Sequence, residues 1–198
     1  MVTFQKCGEE NTAPTLSLVI EEVKKRGIKH IVIASTGGKT GFLAAQAFAG
    51  TDIQVIVVTH NVGHKVPGEC QLDGDMKQAI ERFGAKVLTG TTVWESLDES
   101  IARLTGLLAQ ERLIAQTYRT LGEGIKVCVE IALAATDAGL VPEGKDILCV
   151  AGTGKGADTA MIVRATSSGH FFEDFFIREI LAKPAESKME MKQRLKSK

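Results

Sequence analysis

The 198-residue sequence predicts a single α/β domain, and three observations carry that prediction. Runs of β-branched residues at 30–34 and 53–58 are apolar on both faces, as strands covered by helices on each side are. A glycine-rich turn and a helical stretch at 42–49, closed by Gly50, lie between them, and the right-handed crossover of such a unit makes the two strands parallel. Helix-like and strand-like segments keep alternating beyond this unit. The length suits one domain, assigned to 1–184, with enough chain to bury a substantial core.

Taken in order, Leu16, Val19, Ile20 and Val23 recur at helical spacing within 15–26, with Asn11 or Thr12 as N-cap, Pro14 in the first turn and Gly27 as the stop. After the strand–turn–helix–strand unit, Leu72, Met76, Ile80 and Phe83 mark a helix ended by Gly84, and 86–88 a third strand. Leu97, Ile101, Leu104 and Leu108 mark one further helix; Ala115, Tyr118 and Leu121 mark another, broken by Gly122 and Gly124. The helix at 125–138 is apolar almost all round, hence largely buried. Pro142 and Gly144 turn the chain into a strand at 147–151, a second glycine-rich turn follows at 152–156, and 161–165 reads as a strand. Phe171, Phe172, Phe175 and Phe176, ahead of Ile177, Ile180 and Leu181, read as a docking helix ended by Pro184. The charged remainder, 185–198, is expected to be a frayed tail.

Lys and Arg number 24 and Asp and Glu 24, so the formal net charge is zero; with no basic surplus, nucleic acid is not an expected partner. Cys7, Cys70, Cys128 and Cys149 are too scattered for a metal site or a redox dithiol and read as free thiols. No apolar run is long enough to cross a bilayer, and the first eight residues lack the apolar core of a signal peptide, so the expectation is a cytoplasmic protein without a membrane partner.

The residues that carry chemistry begin where the first buried strand ends. Ser35, Thr36, Gly37, Gly38, Lys39, Thr40 and Gly41 join that strand to a helix, and ligands of open α/β sheets gather at such carboxyl ends. Glycines let backbone N–H groups converge on an anion, the helix N-terminus adds partial positive charge, and the hydroxyls and the ammonium add donors. A phosphate is the group this favours; a tight turn with a solvated lysine is the alternative. A Walker A loop is excluded because Ile33 stands where its first glycine is required.

Gly152, Thr153, Gly154, Lys155, Gly156 and Ala157 match a dinucleotide-binding pattern, but a strand follows where a helix should open. They read instead as a second rim of the same pocket, with Asp158 and Thr159 as polar contacts, or as a plain hairpin turn. Glu130 lies in an apolar helical run, where a carboxylate needs a partner. A ligand group and an ion pair with Lys126 both satisfy it. His60 follows Thr59 at the end of the second strand, beside the expected crevice; the residues between it and His64 are poor helix formers, which argues against a two-histidine metal face, and no metal is expected.

Several segments together resemble the stand-alone proteins related to the C-terminal α/β domain of pyruvate kinase. They are 8–12, 31–41, 126–131, 156–160 and 171–184. The resemblance implies a three-layer α/β/α sandwich with a mixed five-stranded sheet of order 3-2-1-4-5, its last strand antiparallel. In pyruvate kinase the loop equivalent to 35–40 cradles a phosphate of a sugar-bisphosphate effector, and the turn equivalent to 152–158 completes the pocket. Stand-alone relatives look like binders of flavin mononucleotide (FMN) at that place, so the resemblance alone implies FMN as cofactor. The chain has no room for the kinase's catalytic barrel, and no pyruvate kinase activity is expected.

The leading expectation is therefore a binding domain for a phosphorylated small molecule. Ser35, Thr36, Gly37, Gly38, Lys39 and Thr40 would hold the phosphate. Asn11, Thr12, Thr59, His60, Glu130, Gly152, Thr153, Gly154, Asp158 and Thr159 would meet the rest of the ligand. The alternatives are an enzyme on a phosphorylated metabolite, with His60 or Glu130 as acid or base, a sugar-phosphate sensor, and an interaction domain whose Phe-rich end packs on a partner chain, including a second copy.

Overall fold

The structure, a computed structural model, describes residues 1–94, 97–107 and 110–197. Seven strands build one sheet: β1 (Val2–Phe4), β2 (His30–Ala34), β3 (Gln54–His60), β4 (Lys86–Gly90), β5 (Asp146–Ala151), β6 (Thr159–Arg164) and β7 (Phe176–Pro184). Their order is β1-β7-β6-β5-β2-β3-β4. All run parallel except β6, which pairs antiparallel with both β5 and β7. The period of two along each strand sorts the side chains. Ile31, Ile33, Val55, Val57, Leu148 and Val150 face one helical layer, formed by α1 (Thr12–Arg26), α2 (Lys39–Ala47) and α3 (Gly74–Glu81). Val32, Ile56, Cys149, Met161 and Val163 face the other, where α6 (Glu123–Asp137) lies at the centre beside α5 (Gln110–Arg119). Residues of α6 from Cys128 to Ala135 are buried almost without exception, as its apolar circumference requires. Helix α4 (Leu97–Thr105) precedes them; Leu108, expected as its last apolar position, lies outside the described residues.

The expected five-stranded sheet is corrected to seven strands, and the antiparallel strand is internal rather than last. The two added strands are β1, which was not expected, and β7, which lies in 171–184, read from sequence as one docking helix. Only α7 (Phe171–Asp174) is helical there, and the chain then extends as β7. Two register shifts explain the misreading. Ile177 opposes Val163 and Ile180 opposes Met161, so the shift between them puts residues three apart on one face. A second shift turns the adjacent Leu181 and Ala182 toward the opposite core. A bulged strand thereby imitates helical spacing.

The tail is also corrected. Residues expected to fray form α8 (Lys188–Lys196), begun by a capping box in which the Ser187 hydroxyl accepts from the Glu190 amide and the Glu190 carboxylate accepts from the Ser187 amide. Arg194 grips Glu186 through Nε (2.6 Å) and Nη2 (2.9 Å), and Nη2 also donates to the Cys7 carbonyl (3.2 Å), which fastens α8 to the N-terminal segment. No described helix is long and apolar enough to cross a membrane.

Candidate functional site

Strands β2, β3, β4 and β5 all end at one edge of the sheet. Because β2 lies between β3 and β5, the chain leaves β2 on one side and returns on the other, and that reversal opens a crevice at the carboxyl ends. A cavity of about 1300 Å³ occupies this edge. It exceeds the roughly 300–1,000 Å³ usual for small-molecule sites.

The first rim is the glycine-rich loop. Ser35, Thr36, Gly37, Lys39 and Thr40 line the cavity. The Ser35 hydroxyl accepts from the Gly41 amide (3.0 Å), bending the strand end back over the first turn of α2. Gly38, at φ +88°, turns behind the wall: a methyl group there would come within 2.2 Å of Met76 Cγ and 2.7 Å of Leu72 Cδ1. The loop is thus seated on Leu72 and on Met76 of α3, at the N-terminus of α2. Thr59 braces it, donating from Oγ1 to the Thr36 carbonyl (2.9 Å), and both Thr59 and His60 line the wall. The His60 and His64 rings stack at 3.8 Å between centroids and 7° between planes. Among the described residues no group of three His, Cys, Asp or Glu is placed to hold a metal ion.

The second rim comprises Gly152, Gly154, Lys155 and Gly156. Asp158, expected at the ligand, stands behind it, fully buried. Its Oδ2 accepts from the amides of Thr153 (3.1 Å) and Gly8 (3.3 Å), and its Oδ1 accepts from Thr159 Oγ1 (2.8 Å). Burial pushes its carboxyl above the ordinary carboxylate range, and those hydrogen bonds offset part of that. Thr153 and Thr159 are likewise buried outside the cavity wall. Thr12 does line the cavity, and its Oγ1 accepts from the Ala157 amide (3.0 Å). Asn11, at the N-cap position of α1, makes no side-chain cap; its Nδ2 donates to the Lys6 carbonyl (2.7 Å) and lies outside the wall.

The third wall is α6, which presents Glu130 together with Lys126, a residue sequence reasoning treated only as an internal partner. Lys126 Nζ lies 2.7 Å from Glu130 Oε2, and the two side chains are 2% and 6% exposed. The i,i+4 spacing makes the contact, and mutual charge compensation makes its burial tolerable. Val127, Ile131 and, from α1 and α2, Leu16, Ile20 and Leu43 add apolar surface. Sequence reasoning also missed Thr91, Thr92 and Lys188. The first two follow the end of β4 and were within reach of the rule that took Ser35 and His60; Lys188 belongs to α8, expected as tail. Across the opening, Lys39 is ion-paired with Glu9, another cavity residue outside the expected set.

A model of the pyruvate kinase alpha/beta domain matches residues 14–164. Among solved structures, pyruvate kinase from Cryptosporidium parvum is similar at 14% identity and a TM-score of 0.40, covering 76% of this chain and 22% of that one. The same kinase in complex with ADP aligns at 15% identity and a TM-score of 0.40, covering 76% and 23% of the two chains. A hydrogen sulfide-producing enzyme from Fusobacterium nucleatum aligns at 18% identity and a TM-score of 0.30, over 46% and 28%. This chain thus spans less than a quarter of the kinases' length. With the family match running from the first turn of α1 to the end of β6, the chain belongs to the family of the pyruvate kinase alpha/beta domain.

Proposed function

We propose that the cavity is a binding site for a phosphorylated small molecule, with the terminal phosphate in the 35–40 loop and FMN as the ligand. The observation that carries this reading is the first rim. Ser35, Thr36, Lys39, Thr40 and the open backbone of Gly37 meet the cavity at the N-terminus of α2, where backbone donors and the helix dipole favour an anion. The rest of the wall fits a flat heteroaromatic ring. Leu16, Leu43, Val127 and Ile131 supply apolar surface, the glycines of the second rim allow close approach, and Lys126, Glu130 and His60 supply polar groups for a ring edge. A bound flavin would bring electron-transfer chemistry; the residues here bind and orient it. Asn11, Thr153, Asp158 and Thr159 support the wall from behind.

The choice of FMN over a sugar phosphate comes from the family resemblance, and equilibrium dialysis tests it. FMN should bind, and riboflavin should bind much more weakly because it lacks the phosphate. No FMN binding, or equal affinity for riboflavin, would remove the flavin reading in favour of a sugar-phosphate sensor. The chain by itself is not expected to transfer a phosphoryl group from phosphoenolpyruvate to a nucleoside diphosphate.

A further inference from the structure

Lys39, the first residue of α2, pairs its ammonium with Glu9, and both residues line the cavity. The Glu9 backbone is held on several sides. The Gly8 amide donates to Asp158, the Cys7 amide donates to Glu186 (2.7 Å), and a methyl group on Gly156 would come within 2.7 Å of Glu9 Cα. The carboxylate is therefore presented to the loop by an anchored turn. The Lys39 ammonium beside it holds the Glu9 carboxyl below the ordinary carboxylate range, with Lys155 adding to the effect, so Glu9 is ionised at neutral pH.

We propose that Glu9 is a built-in competitor for the phosphate site: it occupies the ammonium that the ligand's phosphate needs, and it disfavours ligands in proportion to their charge at the cavity mouth. The inference rests on the phosphate reading of the 35–40 loop. Lys39 is a point charge on a flexible stem, and a phosphate can recruit it only by drawing it off a carboxylate or by tolerating that carboxylate alongside. Both routes oppose the ligand. A single terminal phosphate meets this opposition once. A second phosphate beyond the first would bring more negative charge toward Glu9 and its neighbour Glu10, both of which line the mouth. The ligand class that results is one with a single terminal phosphate.

Calorimetric titration of the full chain and its Glu9→Gln variant with FMN, riboflavin, inorganic phosphate and pyrophosphate tests this. Because both partners are exposed, Glu9→Gln should tighten FMN and phosphate by only about two- to fivefold. Pyrophosphate should gain more, riboflavin should not change, and the gains should shrink as salt is raised. If the parent prefers FMN over riboflavin and Glu9→Gln leaves phosphate and FMN affinities unaltered, the Glu9 inference fails while the phosphate site stands. An equal gain for riboflavin also overturns it, since the effect would then not act through charge. If phosphate, pyrophosphate and FMN bind neither protein, both readings are removed.

Discussion

Replacing Asp158 by alanine separates a residue that holds the site together from one that touches ligand. Its carboxylate accepts from Thr153 N, Gly8 N and Thr159 Oγ1, and Thr153 and Thr159 are themselves buried. Truncation leaves the two buried donors, Thr153 N and Thr159 Oγ1, without that acceptor, at about 1–3 kcal/mol each, or roughly 2–6 kcal/mol together. The upper end is an overestimate, because burial already works against the ionised carboxylate, as its raised pKa records. A loss of about 3–4 kcal/mol follows, and for a chain of this size it lowers Tm by roughly 6–16 °C. Thermal denaturation followed by circular dichroism measures it, with Asp158→Asn, which keeps one acceptor oxygen, falling between. An Asp158→Ala variant that melts with the parent and differs only in ligand affinity would refute this reasoning and return Asp158 to the ligand.

The other predictions concern the loop, the second rim and the tail. Lys39→Ala should lower affinity for a phosphorylated ligand by about 1.5–3 kcal/mol in calorimetry while leaving Tm unchanged, because the side chain is 77% exposed. Gly156→Ala should cost roughly 2–4 kcal/mol of stability in chemical denaturation, since the position has φ +72° and a methyl group would lie 2.4 Å from Thr12 Oγ1. Arg194 holds the Glu186 carboxyl down at about 2. A depressed folded-state pKa contributes stability above the ordinary value of 4.5 that is lost as pH falls toward 2. Urea melts across that interval should show a steeper loss for the parent than for Glu186→Gln.

The N-terminal half and centre of the fold were legible because local periodicity and tertiary burial agree there. The runs at 30–34 and 53–58 are buried on both faces, and the apolar circumference of 125–138 matches a helix packed against the sheet. The 35–40 loop was legible for a related reason: glycines, hydroxyls and a lysine between a strand and a helix are contiguous in sequence, so the rim they form needs no long-range information. Where bulges shift the register of β7 on β6, strand spacing imitates helix spacing, and local reading failed. In α8 the signal was present as Ser187 and Glu190, but a charged composition masked it.

By itself the sequence determined the parallel strand–turn–helix unit, its glycine-rich loop and the buried helix behind it, since each depends on neighbours along the chain. Only the tertiary structure decided that Asp158 accepts from the Gly8 amide, 150 residues away in sequence, and that Glu9 sits on Lys39. It also decided that Lys126 meets the cavity and that β1 closes the far edge of the sheet against β7. The physical reason is common to all four. A polar group or strand edge takes whichever partner the packed chain brings within hydrogen-bonding reach, and residue type alone does not encode which distant partner that is.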